Sequence, residues 1–129
     1  MKILIVIPAR LKSTRLPSKP LKKIYGKELI LRVLEACESI ESKNTKMIVA
    51  TDSKKIFDLV NSHKFKAIMT SKKCATGTDR VAEVAKKVKA DIYINVQGDE
   101  PLINSSDIKK IIYEKKNFPK DIICAYSYL

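Results

Sequence analysis

The fold is set by the run Lys2-Ile3-Leu4-Ile5-Val6-Ile7, which ends at Pro8-Ala9-Arg10. A continuously apolar run of this length is expected of a strand that has both of its faces covered. It has no small-residue cleavage site, and it is far shorter than the ~18 apolar residues that indicate a membrane span. We therefore interpret it as the buried first strand of a sheet, and we expect a cytoplasmic protein with no membrane partner.

The rest of the chain alternates between apolar runs and patterns with helical spacing. Further strands are predicted over residues 47–51, 66–69, 92–96 and 121–127. Helices are predicted over residues 28–42, 54–63, 78–88 and 105–116, and residues 9–27 are predicted to be a loop. Strands that alternate with helices over short connections indicate βαβ units. The predicted fold class is α/β, a three-layer, mostly parallel sheet with helices on both faces, in one domain over residues 1–129.

The composition excludes several classes of protein. The cysteines Cys37, Cys74 and Cys124 form no C-x-x-C pair, so they are expected to be buried or incidental thiols and not a disulfide framework or zinc site. The three glycines form neither the dinucleotide-binding G-x-G-x-x-G nor the P-loop pattern. The net charge of +12 favours anionic partners, but the lysines are spread along the chain, so a solvated basic surface is an open alternative.

The loop after the first strand concentrates positive charge at the edge where open α/β sheets bind ligands, beyond the carboxyl ends of the strands. Within ten positions it carries Arg10, Lys12, Arg15 and Lys19. These cations suit a triphosphate, because arginine forks match planar phosphate oxygens. Three prolines stiffen the loop and lower the entropy cost of ordering it around a ligand. The alternative interpretation is a solvated basic turn.

Two further segments, residues 70–80 and 97–101, follow predicted strands and are expected at the same edge. Thr76 and Thr78 stand at a predicted helix start, where unpaired amides favour polar or anionic partners, although either threonine could simply be the N-cap. Asp99 is a hard oxygen ligand suited to Mg²⁺, or else a helix or turn cap. Asp52 is expected to cap the helix that follows it or to hold its loop.

Four motifs carry a family resemblance. Residues 8–21, 48–52, 76–80 and 95–101 resemble, in order and spacing, the signature of cytidylyltransferases that activate eight-carbon acidic sugars, in particular the 3-deoxy-manno-octulosonate (Kdo) cytidylyltransferases, or CMP-Kdo synthetases. The resemblance covers the chain end to end but only the N-terminal half of the family's chain. Two positions depart from the signature. Ser18 stands where the family has glycine, which requires a negative φ there, and Thr76 stands where it has serine.

The resemblance implies a reaction in which CTP and Kdo give CMP-Kdo and pyrophosphate for lipopolysaccharide synthesis, with Mg²⁺ as cofactor. It implies that the segment 70–80 reads the cytosine base and that Asp99 holds the metal. The catalytic residues implied are Arg10, Arg15, Lys19 and Asp99. The nucleotide-binding residues implied are Pro8, Ala9, Arg10, Lys19, Thr70, Thr76, Gly77, Arg80 and Gln97.

The last residues, 122–129, lie inside an apolar run, so we expect an incomplete domain with an exposed apolar edge there. The C-terminal half that binds the sugar and forms the family's homodimer would then be absent, and the activity of this chain stays open. Two other functions are open. One is a cytidylyltransferase for another acidic sugar, such as a sialic acid. The other is a non-catalytic basic module for nucleotide or nucleic acid, which the lack of aromatic stacking residues disfavours, so no nucleic-acid partner is predicted.

Overall fold

The computed structural model of the chain describes residues 2–10, 19–74, 76–96, 110 and 113. The strands are β1 (Ile3–Ala9), β2 (Lys23–Ile24), β3 (Lys27–Glu28), β4 (Thr45–Thr51), β5 (Ala67–Met69) and β6 (Ile92–Asn95). The α-helices are α1 (Leu29–Glu38), α2 (Lys54–Ser62) and α3 (Gly77–Lys87), and a short 3₁₀ helix covers Lys19–Leu21. Lys110 and Tyr113 also have helical backbone, within the helix predicted over 105–116. The strand predicted over 121–127 lies outside the described residues.

Four strands form a parallel sheet in the order β5-β4-β1-β6. β1 pairs with β4 along its whole length, from Ile3 opposite Thr45 to Ala9 opposite Thr51, and with β6 on its other edge. Along the chain, β4 and β5 are therefore added on one side of β1, and β6 is then added on its other side. In open α/β sheets, this reversal of strand order opens a crevice at the carboxyl ends of the strands.

The side chains of β1 divide the core between the two faces of the sheet. Ile5 and Ile7 pack in a cluster with residues of α1 and α2, whereas Leu4 and Val6 pack in a second cluster with Val84 of α3. All seven residues of β1 are buried, as expected for a parallel strand covered on both faces. This arrangement confirms the predicted three-layer α/β class. Among the described residues, no helix is long and apolar enough to cross a membrane.

The prediction of an unbroken loop over residues 9–27 is wrong at its end. Residues 23–28 form a small antiparallel hairpin, β2 with β3, after the 3₁₀ helix. Its two-residue turn places Tyr25 at φ 50° and Gly26 at φ 80°, the positive values that short hairpins require. The usual sequence signal for this turn is Asn-Gly or Asp-Gly. Because Tyr25 stands where asparagine or aspartate is usual, the sequence does not indicate the turn.

The hairpin turn generates a stability prediction, because a left-handed conformation costs a residue other than glycine about 1–2 kcal/mol, and asparagine less than most. The Tyr25 side chain is 97% exposed, so replacing it removes no packing. We expect Tyr25→Asn to raise the free energy of unfolding in urea by about 0.5–1 kcal/mol.

The neighbouring glycine supplies the matched control. Among the described residues, no atom other than those of Gly26 and its two chain neighbours lies within 4 Å of the position that a Gly26 Cβ would occupy. Gly26→Ala therefore tests backbone conformation alone and should cost about 1 kcal/mol. A Tyr25→Asn variant that is no more stable than the parent chain would contradict the argument.

Candidate functional site

A cleft of about 350 Å³ opens at the carboxyl ends of β1, β4 and β5. Its lining comes from three separate connections of the sheet and from the first turns of two helices. The lining residues are Arg10, Asp52, Ser53, Lys54, Lys72, Cys74 and Arg80. Two residues predicted to bind a nucleotide, Arg10 and Arg80, therefore share one cleft although 70 positions separate them in the chain.

Arg80 is the buried charge of this cleft, with only 2% of its surface exposed. Its Nη1 donates to Thr70 Oγ1 at 2.5 Å and to the Ser71 carbonyl oxygen at 3.2 Å. Thr70 is itself buried, and its backbone N–H donates to the Thr51 carbonyl at 2.8 Å. A guanidinium stays charged in a protein, so its burial requires such partners. Two predicted nucleotide contacts, Thr70 and Arg80, are thereby brought into direct contact.

The other terminal nitrogen of the Arg80 guanidinium, Nη2, faces Asp52, whose Oδ2 lies 3.8 Å away. Of the two roles expected of Asp52, capping α2 is wrong, and holding its loop stays a prediction. The N-cap is Ser53, whose Oγ accepts from the Ile56 N–H at 3.3 Å. The Ser53 N–H donates to Thr51 Oγ1, so the chain turns immediately after β4 and the cap falls one residue beyond Asp52. The carboxylate is left on the cleft side of the turn, opposite the buried arginine.

The start of α3 is closed by a reciprocal pair of hydrogen bonds. Thr76 Oγ1 accepts from the Asp79 N–H, and Asp79 Oδ2 accepts from the Thr76 N–H, both at 3.1 Å. This is a capping box, and it confirms the N-cap alternative for Thr76. Gly77 is the first residue of the helix, as its predicted place at a helix start requires. A nucleotide contact from Thr76 or Gly77 stays a prediction.

Glu83 on α3 was not predicted as a site residue, yet it holds the connection between β5 and α3. Its two carboxylate oxygens accept from the Ser71 N–H at 3.0 and 3.1 Å. Lys87 Nζ lies 3.1 Å from Oε2, and Cys74 Sγ lies 3.8 Å from Oε1. The Ser71 amide foremost, and then Lys87, favour the ionised form and hold the pKa of Glu83 below its usual value. The sequence signal was only a Glu-Lys pair at i,i+4.

The two described cysteines are free thiols. Cys37 lies on the buried side of α1, in the core, and burial raises its pKa to about 11. Cys74 is half-buried at the cleft, and its pKa is raised by desolvation and by Glu83, against the opposing charge of Arg80. A raised thiol pKa lowers the thiolate fraction and hence the reactivity. The expectation of unpaired thiols is confirmed for these two residues, and Cys124 lies outside the described residues.

Comparison with known proteins identifies the family. The sequence profile of the cytidylyltransferases matches residues 4–127. The chain belongs to the cytidylyltransferase family. It is 48% identical over 103 residues to the 3-deoxy-manno-octulosonate cytidylyltransferase of Chloroherpeton thalassium, covering 80% of this chain and 42% of that protein. The corresponding Escherichia coli protein is 44% identical over 118 residues, covering 92% of this chain and 48% of that protein.

A solved structure of the same family extends the comparison to three dimensions. The CMP:2-keto-3-deoxy-manno-octonic acid synthetase complexed with CTP superposes with a TM-score of 0.85 at 43% identity. The match covers 93% of this chain and 49% of that one. The family resemblance inferred from the four motifs is confirmed, and the chain spans about half the length of the curated relatives it matches.

Several residues predicted for the cytidylyltransferase site lie outside the described part of the chain. These are Arg15, Gln97, Asp99 and the side chain of Lys19. Pro8 and Ala9 are described. They are the last two residues of β1, where they are buried and pair with Ala50 and Thr51 of β4. No group of three or more His, Cys, Asp or Glu residues within the described residues could hold a metal ion. The Mg²⁺ site therefore stays a prediction that depends on Asp99.

The capping box of α3 can be separated from any role of Thr76 in binding. We expect Thr76→Ala to lower the free energy of unfolding by about 1 kcal/mol and Thr76→Ser to preserve it, because serine caps as well as threonine. Thr78→Ala is the matched control, since Thr78 is exposed within the helix and alanine is a better helix former. Equal stability of Thr76→Ala and the parent chain in urea titrations would contradict the capping role.

The lowered pKa of Glu83 predicts the direction of a pH effect on stability. A carboxyl group with a lower pKa in the folded chain stabilises the fold above its unfolded pKa of ~4.3, and this contribution is lost as the pH falls through the folded pKa. The free-energy difference between the parent chain and Glu83→Gln should therefore shrink as urea titrations move from pH 6 toward pH 3. A difference that stays constant over this range would show that ionised Glu83 contributes nothing.

Proposed function

We propose that the chain is the CTP-binding part of an enzyme that transfers CMP from CTP to Kdo, giving CMP-Kdo and pyrophosphate for lipopolysaccharide synthesis. The observation that carries the proposal is the superposition, at 43% identity over 93% of the chain, on a synthetase of this family in complex with CTP. The cleft supports it independently. Its volume of about 350 Å³ falls within the range of roughly 300–1,000 Å³ that small-ligand sites occupy.

The charges that line the cleft suit a nucleotide triphosphate. Arg10, Lys54, Lys72 and Arg80 face a single described carboxylate, that of Asp52. In the proposed reaction a sugar hydroxyl attacks the α-phosphorus, the bond to the departing pyrophosphate breaks, and negative charge builds on the phosphoryl oxygens. Fixed cations lower the energy of that state, which is the main means of catalysis in phosphoryl-group transfer. We propose this role for Arg10, Arg15 and Lys19.

A cation would complete the charge balance on the leaving group. We propose that Asp99 holds Mg²⁺, which supplies positive charge to the phosphate oxygens when it is bound. The basic loop of residues 10–19 provides the remaining neutralisation. Along the chain, the basic loop follows β1 and Asp99 comes four residues after the end of β6.

Arg80 is suited to recognising the base. Among the described residues its hydrogen bonds run through Nη1, with Asp52 at 3.8 Å from Nη2, so Nε–H and Nη2 donors can serve a ligand. The carbonyl oxygen and ring nitrogen of cytosine are hydrogen-bond acceptors. A buried donor beside them disfavours a base without acceptors at these positions, because the donor would be left without a partner. We propose that Arg80, Thr70 and Gly77 read the cytosine.

The remaining expectations follow from the same proposal. The second substrate is an acidic eight-carbon sugar, the working assembly is the homodimer implied by the family resemblance, and the compartment is the cytoplasm. Neither nucleic acid nor membrane is a proposed partner. The family resemblance implies that the sugar is bound by the half of the relatives that this chain does not match, since the chain spans about half of their length.

The proposal is tested by titrating the chain with CTP, UTP, GTP and single-stranded DNA in the presence of Mg²⁺. We expect a preference for CTP, and we expect Arg10→Ala or Arg80→Ala to weaken CTP binding roughly 10- to 100-fold, as loss of a charged hydrogen bond predicts. Arg32→Ala on α1 removes the same charge away from the cleft and should leave the affinity unchanged.

Two outcomes would contradict the proposal. One is equal affinity for the three nucleotides, which would exclude reading of the base. The other is tight binding of DNA with a steep dependence on salt, which is typical of a polyanion-binding surface.

A further inference from the structure

One face of α3 carries a line of charged residues toward the connection between β5 and α3. Arg80, Glu83 and Lys87 are spaced i, i+3 and i+7, which places them on the same side of a helix. Arg80 is 2% exposed, whereas the Glu83 side chain is 22% and the Lys87 side chain 49% exposed. The line therefore runs from the buried cleft to the solvent.

Ser71 connects the first two members of this line through a single residue. Its N–H donates to both carboxylate oxygens of Glu83, at 3.0 and 3.1 Å. Its carbonyl oxygen accepts from Nη1 of Arg80 at 3.2 Å. Lys87 supports the arrangement from outside, since its Nζ reaches Glu83 at 3.1 Å and the Met69 carbonyl at 3.5 Å.

We propose that Glu83 is a positioning residue for nucleotide binding, which holds the Ser71 backbone so that Thr70 and Ser71 keep the Arg80 guanidinium oriented at the cleft. This inference rests on the proposed function for its biological meaning. Glu83 does not line the cleft, so it would act through Arg80 and not by touching the nucleotide.

The orientation of Arg80 needs such support. Its third partner, Asp52, lies at 3.8 Å from Nη2, which is beyond hydrogen-bond distance and fixes no direction. The two hydrogen bonds that do fix a direction both go to the connection after β5. A shift of that connection would therefore rotate the guanidinium, and small displacements of a positioning contact have large effects on binding and rate.

The ion pair with Lys87 is a weaker explanation for the presence of Glu83. Exposed i,i+4 pairs on helices contribute little to stability, because water screens them and both side chains lose freedom. What distinguishes Glu83 from an ordinary surface carboxylate is that both of its oxygens accept from the Ser71 N–H. A variant that retains an acceptor for this amide should accordingly behave differently from one that does not, although both lose the pair with Lys87.

The first arm of the test is a double-mutant cycle measured as CTP affinity. Glu83→Met keeps the shape of the side chain without an acceptor, and we expect roughly 10-fold weaker CTP binding, as for loss of one hydrogen bond to a charged group. Glu83→Gln can still accept from Ser71 and should recover most of this loss. In an Arg80→Ala background, Glu83→Met should change the affinity less than twofold, because coupled residues are not additive. The control is Glu35→Met on α1, which removes an exposed carboxylate that pairs with Lys27. It should have no effect in either background.

The outcome that overturns the inference is additivity. If Glu83→Met weakens CTP binding by the same factor with and without Arg80, Glu83 acts only on the general stability of the chain. Equal affinities of Glu83→Met and the parent chain would overturn it as well.

The second arm needs no nucleotide and so separates this inference from the proposed function. Hydrogen exchange of the Ser71 amide and of the Arg80 guanidinium protons, including those on Nη1, is followed by NMR in the ligand-free chain. We expect both to exchange at least 10-fold faster in Glu83→Met than in the parent chain or in Glu35→Met. Failure of the parent chain to bind CTP would refute the proposed function alone, and unchanged exchange at Arg80 would refute the positioning role.

Discussion

The structure depends on the burial of β1 between two helical layers. Its side chains alternate between a cluster with α1 and α2 and a cluster with α3, so neither face can shift without exposing apolar surface. Because β1, β4 and β5 lie side by side in parallel register, the connections that follow them emerge at the same edge. The cleft is the consequence, since residues that are distant in the chain meet wherever parallel strands end together.

Within that edge, the buried guanidinium of Arg80 is the most constrained group. A charge with 2% exposure is tolerated only with partners around it, and here the partners come from two connections of the sheet. Thr70 and Ser71 follow β5, and Asp52 follows β4. Replacing a buried ion pair by apolar residues commonly costs nothing in stability, so folding alone gives little reason for a charge here, and the proposed recognition of a nucleotide supplies one.

The sequence predicted the strands well because their signal is local. The runs around Ile5 and Val49 are apolar on both faces and the run around Ile94 on one face, and this is visible without any tertiary contact. The hairpin after the basic loop was missed because Tyr25 occupies a conformation that asparagine or glycine usually signals. Arg10 and Arg80 were predicted from their motifs. Glu83 and the pairing of Asp52 with Arg80 were not, since both depend on which loop lies beside which helix, and no spacing along the chain encodes that.

The same distinction bears on the two interpretations of the +12 charge. Three lysines of the described chain form exposed ion pairs, Lys27 with Glu35, Lys54 with Asp58 and Lys87 with Glu83, as a solvated basic surface would. Such charges act through the summed field, which attracts an anion over about one Debye length, ~8 Å at physiological salt, without selecting among anions.

Selection among anions requires a charge that is removed from water and fixed in direction. Of the four basic residues lining the cleft, Arg80 combines near-complete burial with hydrogen bonds to two successive residues. In the proposed function the basic surface and the buried arginine are therefore complementary: one would raise the local concentration of nucleotides, and the other would provide the geometry that tells them apart.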